Sequence, residues 1–145
     1  MTVATQSSEG TIVRNKQALT EQEVVKIAEA CRAEAKTNNW SVSIVIVDEG
    51  GYLLGAQRLD GAGLQTPEIA LGKARTAALT KQSTLKLEEA SKERPATLVI
   101  GGRLPVQGGV PIILQGDCLG AIGVSGVQSS QDERIALAGL ASIGL

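Results

Sequence analysis

The chain has 145 residues, of which 43% are hydrophobic and 20% are charged, and its net charge is −1. These values fit one globular domain and exclude a disordered or fibrous chain, while the lack of a Lys/Arg stripe argues against nucleic acid as a partner. No apolar run approaches the roughly 20 residues that span a bilayer and residues 1–10 lack a signal-peptide pattern, so we expect a cytoplasmic protein without a membrane partner.

The first elements are an arm and a helix. Residues 1–18 show little periodicity and are predicted to form a flexible or docking N-terminal arm, within which residues 11–13 could pair as an edge strand. A single domain over 19–145 follows. It begins with an amphipathic helix at 20–37, where apolar residues recur at helical spacing.

A β-hairpin and a glycine-bearing loop come next. The β-branched run 41–47 and the segment 52–58 are predicted strands, joined by turn residues at 48–51. The loop 59–65 follows a strand and precedes a helix, and loops so placed often carry function.

Helices dominate the middle of the chain. An Ala-rich helix is predicted from Thr66 to Thr80 and a shorter one from Ser83 or Thr84 to about Glu93. Residues 97–100 are predicted to form a short strand or a buried extended segment, and a long glycine-rich loop follows at 101–109.

The last third of the chain predicts a second hairpin and a final helix. Its strands are expected at 110–114 and 118–124, and the spacing of Ser130 and Glu133 resembles a capping box. Two hairpins imply an antiparallel sheet, so the predicted fold is a two-layer α+β sandwich with helices packed on that sheet. A dinucleotide-binding fold fits poorly because Gly61-Ala62-Gly63 lacks the third glycine of its fingerprint.

Seven stretches in order carry a family resemblance that extends from about Leu19 to the end. They lie at 47–54, 58–62, 69–77, 108–112, 120–126, 132–133 and 136–139. Together they resemble the GlcG/HbpS family, which is related to the PduO C-terminal domain. The resemblance implies a profilin-like or PAS-like sandwich, a homo-oligomer that is often large, and a link to catabolism of glycolate, diols or aromatics. In some members it implies haem binding or degradation.

The absence of histidine limits the chemistry of the chain. Ser-His-Asp and Cys-His triads and a His-ligated zinc site are excluded. Haem is disfavoured for the same reason, because the remaining ligands are Cys31, Cys118 and Tyr52, and both cysteines are interpreted as packed thiols. We therefore expect no cofactor, with haem left open through another ligand. A metal site would require Asp or Glu residues to converge, which the sequence does not indicate.

Arg58, Asp60 and Gly61 are the leading site candidates. Arg58 can hold a substrate carboxylate with its guanidinium while Asp60 transfers a proton. The alternative is a structural ion pair that fixes the loop.

Glu68 and Lys73 lie on the second predicted helix and are the other candidate catalytic residues. A partly buried Lys can act as a base or nucleophile, and its alternative role is a salt bridge to a loop acid or to a neighbouring subunit.

Arg103, Gly108 and Gly109 are candidates for binding a small anion, since exposed backbone amides can hold one and Arg103 can supply the countercharge. The alternative is that the glycines permit positive φ and close chain approach.

The sequence leaves three functions open. The leading hypothesis is an oligomeric small-ligand-binding protein accessory to catabolism of small carboxylates, diols or aromatics. The second is a cofactor-independent lyase, isomerase or tautomerase acting on a small carboxylate or aromatic intermediate. The third is haem binding or degradation.

Overall fold

The computed structural model describes residues 10–145, and the order of its elements follows the predicted order. These elements are α1 (Glu21–Thr37), β1 (Ser43–Asp48), β2 (Leu53–Arg58), α2 (Thr66–Thr80), α3 (Thr84–Glu93), a 3₁₀ helix (Pro95–Val99), β3 (Gly109–Leu114), β4 (Asp117–Ser125) and α4 (Ser129–Ser142). No helix among the described residues is both long enough and apolar enough to cross a membrane.

The four strands form one antiparallel sheet in the order β2-β1-β4-β3. Strand β1 lies inside the sheet, where Ile46 pairs with Gly55 on one side and with Ile122 on the other. Its β-branched residues suit this position because they pack well on a pleated surface. Both predicted hairpins and the α+β sandwich are confirmed.

Helices cover both faces of the sheet, so the α+β sandwich has three layers rather than the predicted two. On one face α1 and α4 pack over a core that includes Ile44 and Ile122. On the other face α2 lies close to the sheet, because its contact side consists of Ala70, Ala74, Ala77 and Ala78. Each fully buried isoleucine contributes about 1.5–3 kcal/mol relative to an exposed one. Each helix packs on the face of the sheet that its buried apolar residues contact.

Two predicted strands are absent from the described residues. The segment predicted to be a strand or buried at 97–100 instead overlaps a 3₁₀ helix with Leu98 and Val99 exposed. Pro95 presets the backbone of its first turn, and the Thr97 hydroxyl donates to the Arg94 carbonyl at 2.8 Å. The predicted edge strand at 11–13 was also wrong, since these residues are exposed and pair with no strand.

The two ends of the chain differ from the sequence predictions in detail. The capping box of α4 uses Gln128 and Gln131 rather than Ser130 and Glu133, because the helix begins at Ser129. Residues 1–9 of the predicted N-terminal arm lie outside the described residues, and residues 10–18 form neither helix nor strand. The arm and the single domain at 19–145 stay predictions.

Candidate functional site

A cleft of about 460 Å³ opens beside the C-terminal end of α1 and the end of β2. We call it the Arg58 cleft. Its chemically functional lining comprises Arg32, Lys36, Trp40, Gln57, Arg58 and Asp60. The cleft thus joins two predicted site residues to side chains from a helix that the sequence did not connect with them.

The end of α1 positions one wall of the cleft. Asn39 adopts a left-handed backbone conformation with φ of 57°, which asparagine tolerates better than most residues. The amide of Asn39 donates to the Lys36 carbonyl at 3.1 Å, and the amide of Trp40 donates to the Ala35 carbonyl at 2.8 Å. These bonds end the helix and hold Trp40 beside its last turn.

The loop after β2 positions the opposite wall. The Leu59 amide donates to the Val42 carbonyl at 2.9 Å, and the Leu59 side chain is buried in the core. Gly61 has a φ of 88°, and a Cβ there would lie 3.1 Å from the Ser41 hydroxyl oxygen. Glycine therefore lets the loop turn closely past Ser41, so Arg58 and Asp60 project from a fixed backbone.

The cleft carries an excess of positive charge. Three cationic side chains, Arg32, Lys36 and Arg58, face one carboxylate, that of Asp60. In residues 10–145 neither Arg58 nor Asp60 takes part in a salt bridge, so the pair does not form the structural ion bridge considered as an alternative. A guanidinium without an internal partner can accept a carboxylate in a fork of two parallel hydrogen bonds.

Trp40 provides the apolar surface of the cleft. Its side chain is half-buried and packs against the core beneath α1 and α4. The guanidinium carbon of Arg134 lies 5.5 Å from the centroid of the indole ring, within the range of a cation–π contact. Arg134 is held in turn by Glu34, to which its Nε donates at 2.9 Å.

Lys73 lies in a different, closed part of the molecule. Its side chain is 3% exposed, and its Nζ donates to Asp132 Oδ2 at 3.0 Å and to the Val124 carbonyl at 2.9 Å. Asp132 Oδ1 also accepts from the Val127 amide. Burial raises the pKa of Asp132, and the charge and hydrogen bonds of Lys73 and Val127 oppose that rise. This geometry matches the alternative role of Lys73, a salt bridge, although its partner belongs to α4 rather than to a loop.

Gly108 and Gly109 lie against this buried pair. A Cβ on Gly108 would come within 2.7 Å of Lys73 Nζ, and the Gly109 amide donates to the Thr84 hydroxyl at 2.8 Å. Close chain approach therefore accounts for both glycines. Arg103 and Glu68 are exposed, and neither lines the Arg58 cleft.

The sequence analysis did not identify four of the functional lining residues of the cleft: Arg32, Lys36, Trp40 and Gln57. A signal existed, because Arg32 and Lys36 are four positions apart and so share one face of α1. Nothing local showed that this face meets the end of β2, since the two lie more than 20 positions apart in the chain.

Comparison with known proteins places the chain in a family. A family model described as "Haem degrading protein HbpS-like" matches residues 19–141. The chain belongs to the HbpS-like family. Protein GlcG of Escherichia coli K12 is 39% identical over 114 residues, which cover 78% of this chain and 85% of GlcG. An uncharacterised 15.0 kDa protein of Citrobacter freundii is 37% identical over 118 residues, covering 77% of this chain and 82% of that protein.

Solved structures of HbpS-like proteins share the fold. A double mutant of Streptomyces reticuli HbpS superposes with a TM-score of 0.88 at 32% identity, covering 99% of each chain. The PduOC:heme complex superposes with a TM-score of 0.82 at 26% identity, covering 88% of this chain and 96% of the other. The predicted GlcG/HbpS resemblance is thereby confirmed.

The donor atoms of this HbpS-like chain fit haem iron poorly. Cys31 is fully buried, and burial raises the pKa of its thiol to about 12, so it is not a thiolate. The Cys118 thiol donates weakly to the Gly120 carbonyl, and Tyr52 is exposed at the β1–β2 turn. None of the three lines the Arg58 cleft. A site for a bare metal ion is a separate matter: in residues 10–145, no three His, Cys, Asp or Glu side chains are grouped to hold one.

Proposed function

We propose that this HbpS-like chain binds a small organic carboxylate in the Arg58 cleft and acts as a ligand-binding protein accessory to catabolism. The observation that carries the proposal is Arg58, which has no salt-bridge partner within residues 10–145 and shares the cleft with two further cations. The volume of about 460 Å³ falls within the roughly 300–1,000 Å³ of small-molecule sites. A carboxylate is favoured over an uncharged diol because it can neutralise the excess positive charge.

Calorimetric titration of a carboxylate panel that includes glycolate and benzoate tests this proposal. Arg58→Met should weaken binding by about tenfold or more, since a hydrogen bond to a charged group contributes about 1.5–3 kcal/mol. Arg103→Met is the matched control, because it removes the same side chain outside the cleft and should leave affinity unchanged. Equal affinities of the wild type and Arg58→Met would contradict the proposal, as would binding lost only in Arg103→Met.

A second candidate is cofactor-independent proton transfer, as in a lyase, isomerase or tautomerase. It is favoured by the position of Asp60, the only one of the three predicted catalytic residues that lines the cleft beside Arg58. Asp60→Asn should then retain carboxylate binding and abolish turnover, whereas a pure binding protein converts none of the panel. Glu68 and Lys73 lie outside the cleft, so a loss of turnover on substituting either one would indicate an effect on the fold and not on the proton transfer.

Haem is the third candidate ligand. The family description names haem degradation, and a relative is described as a heme complex. Cys31, Cys118 and Tyr52 all lie outside the Arg58 cleft, whereas Arg32, Lys36 and Arg58 line it, so that cleft suits a carboxylate better than haem iron. Titration with hemin separates the two: a saturable Soret band at one equivalent would support haem, and its absence together with carboxylate binding would support the leading proposal.

We also propose a homo-oligomer. Strand β2 is an edge strand, and three exposed large hydrophobic residues lie at its start or just before it, where a second copy could cover them: Tyr52, Leu53 and Leu54. Native mass spectrometry should show a multiple of the monomer mass. A monomer at micromolar concentration would contradict this proposal and leave the carboxylate site standing.

A further inference from the structure

Trp40 gives the Arg58 cleft a surface that a small saturated acid does not need. The side chain is half-buried, and it is the only tryptophan of the chain. Glycolate could be bound by Arg58, Arg32 and Lys36 alone, and it is small for a cleft of about 460 Å³. The indole instead adds an aromatic side chain to the lining of the cleft that holds the cations.

The indole is held in place before any ligand arrives. Arg134 lies over its ring at 5.5 Å and is anchored by the 2.9 Å bond from its Nε to Glu34. Asn38 Nδ2 donates to the carbonyl of Glu34 at 2.8 Å, which ties this cluster to the last turn of α1. Glu34 already neutralises the charge of Arg134. We therefore assign the Arg134 guanidinium to the contact with the Trp40 ring and not to binding of the ligand carboxylate.

Aromatic contact with a fixed indole distinguishes planar from non-planar rings. Aromatic pairs prefer offset or edge-to-face arrangements and gain attraction beyond the area they bury. A saturated ring of similar size presents axial hydrogens and lacks the π system, so it gains only the burial. A fixed platform also lowers the entropy lost on binding.

We propose that the ligand of the Arg58 cleft is an aromatic carboxylate, whose ring lies against Trp40 while its carboxylate binds Arg58. This inference rests on the proposed carboxylate function and assigns its ligand class. Arg134 and Glu34 are positioning residues, because they act on the ligand through Trp40.

The test compares benzoate with cyclohexanecarboxylate, which carries the same charge on a ring of the same atom count. Calorimetry on the wild-type protein should give tighter binding of benzoate by about 2- to 10-fold, the range expected for one aromatic pair. Trp40→Leu should remove this preference while both acids still bind. Since Trp40 is the only tryptophan, its emission should change on addition of benzoate in proportion to the calorimetric saturation.

Arg134→Gln and Glu34→Gln are the variants to measure if Trp40→Leu does not fold. Both should reduce the benzoate preference and leave the affinity for cyclohexanecarboxylate unchanged, which a general loss of structure would not do. Equal affinity of the wild type for both acids would overturn the aromatic assignment and leave the carboxylate proposal intact. Binding of neither acid would overturn both.

Discussion

Lys73 Nζ lies 3.0 Å from Asp132 Oδ2, although 59 positions separate the two residues in the chain. Both side chains are 3% exposed. The pair links α2, on one face of the sheet, to the first turn of α4, on the other. Each charge has lost its hydration, and the pair therefore depends on both members being present.

Asp132→Asn should lower the free energy of unfolding by about 3–5 kcal/mol, because it leaves the Lys73 ammonium buried without a countercharge. Urea denaturation followed by circular dichroism measures this change. The double variant Lys73→Met with Asp132→Leu should be much closer to the wild type, since it leaves no buried charge. A single variant as stable as the double variant would contradict this account of the pair.

The two cysteines should differ sharply in reactivity. Burial raises the pKa of Cys31 to about 12, so only about one thiol in ten thousand is ionised at about pH 8. Cys118 is only half-buried. Alkylation of the native protein, followed by mass spectrometry, should modify Cys118 and spare Cys31, whereas denaturant exposes both. Cys118→Ser is the control, and rapid native modification of that variant would show that Cys31 is accessible.

Gly123 allows α2 to lie directly on the sheet, because a Cβ there would collide with the carbonyl oxygen of Ala70. Gly123→Ala should therefore cost about 1–3 kcal/mol through overpacking and lower the melting temperature. Gly101→Ala is a matched control, since a Cβ at Gly101 would meet nothing within 4 Å and its φ is not positive. Its effect should stay within about 0.5 kcal/mol. Equal melting temperatures for the two variants would contradict the close packing of α2.

Most of the fold could be predicted because its signals are local. Helix α1 ends where its apolar periodicity ends, and Asp48 to Gly51 carry turn chemistry between two β-branched or apolar runs. The 3₁₀ helix after Pro95 was missed because Thr97 to Ile100 has the composition of a strand but finds no strand partner. A segment forms a β-strand only beside a partner strand, and the composition of the segment does not show whether a partner is present.

Only the part of the candidate site that follows β2 could be predicted from the sequence. Arg58 and Asp60 follow a strand end in a glycine-bearing loop, and that local context singled them out. Arg32 and Lys36 share one face of α1, but they and Trp40 join Arg58 and Asp60 only through tertiary packing, which the local sequence does not indicate. Lys73 was singled out for its Ala-rich surroundings, and the same surroundings explain why it is buried beside Asp132 rather than open to a ligand.

An amide-resolved NMR titration with benzoate reports where on the protein a carboxylate binds, and so tests whether the Arg58 cleft is its site. Binding in the cleft should give saturable shifts of the Trp40 indole N–H and of the Asn39, Leu59 and Asp60 amides, and Arg58→Met should abolish them. Shifts confined to the glycine-rich loop from Gly101 to Gly109, or no saturable shift at any residue, would contradict it.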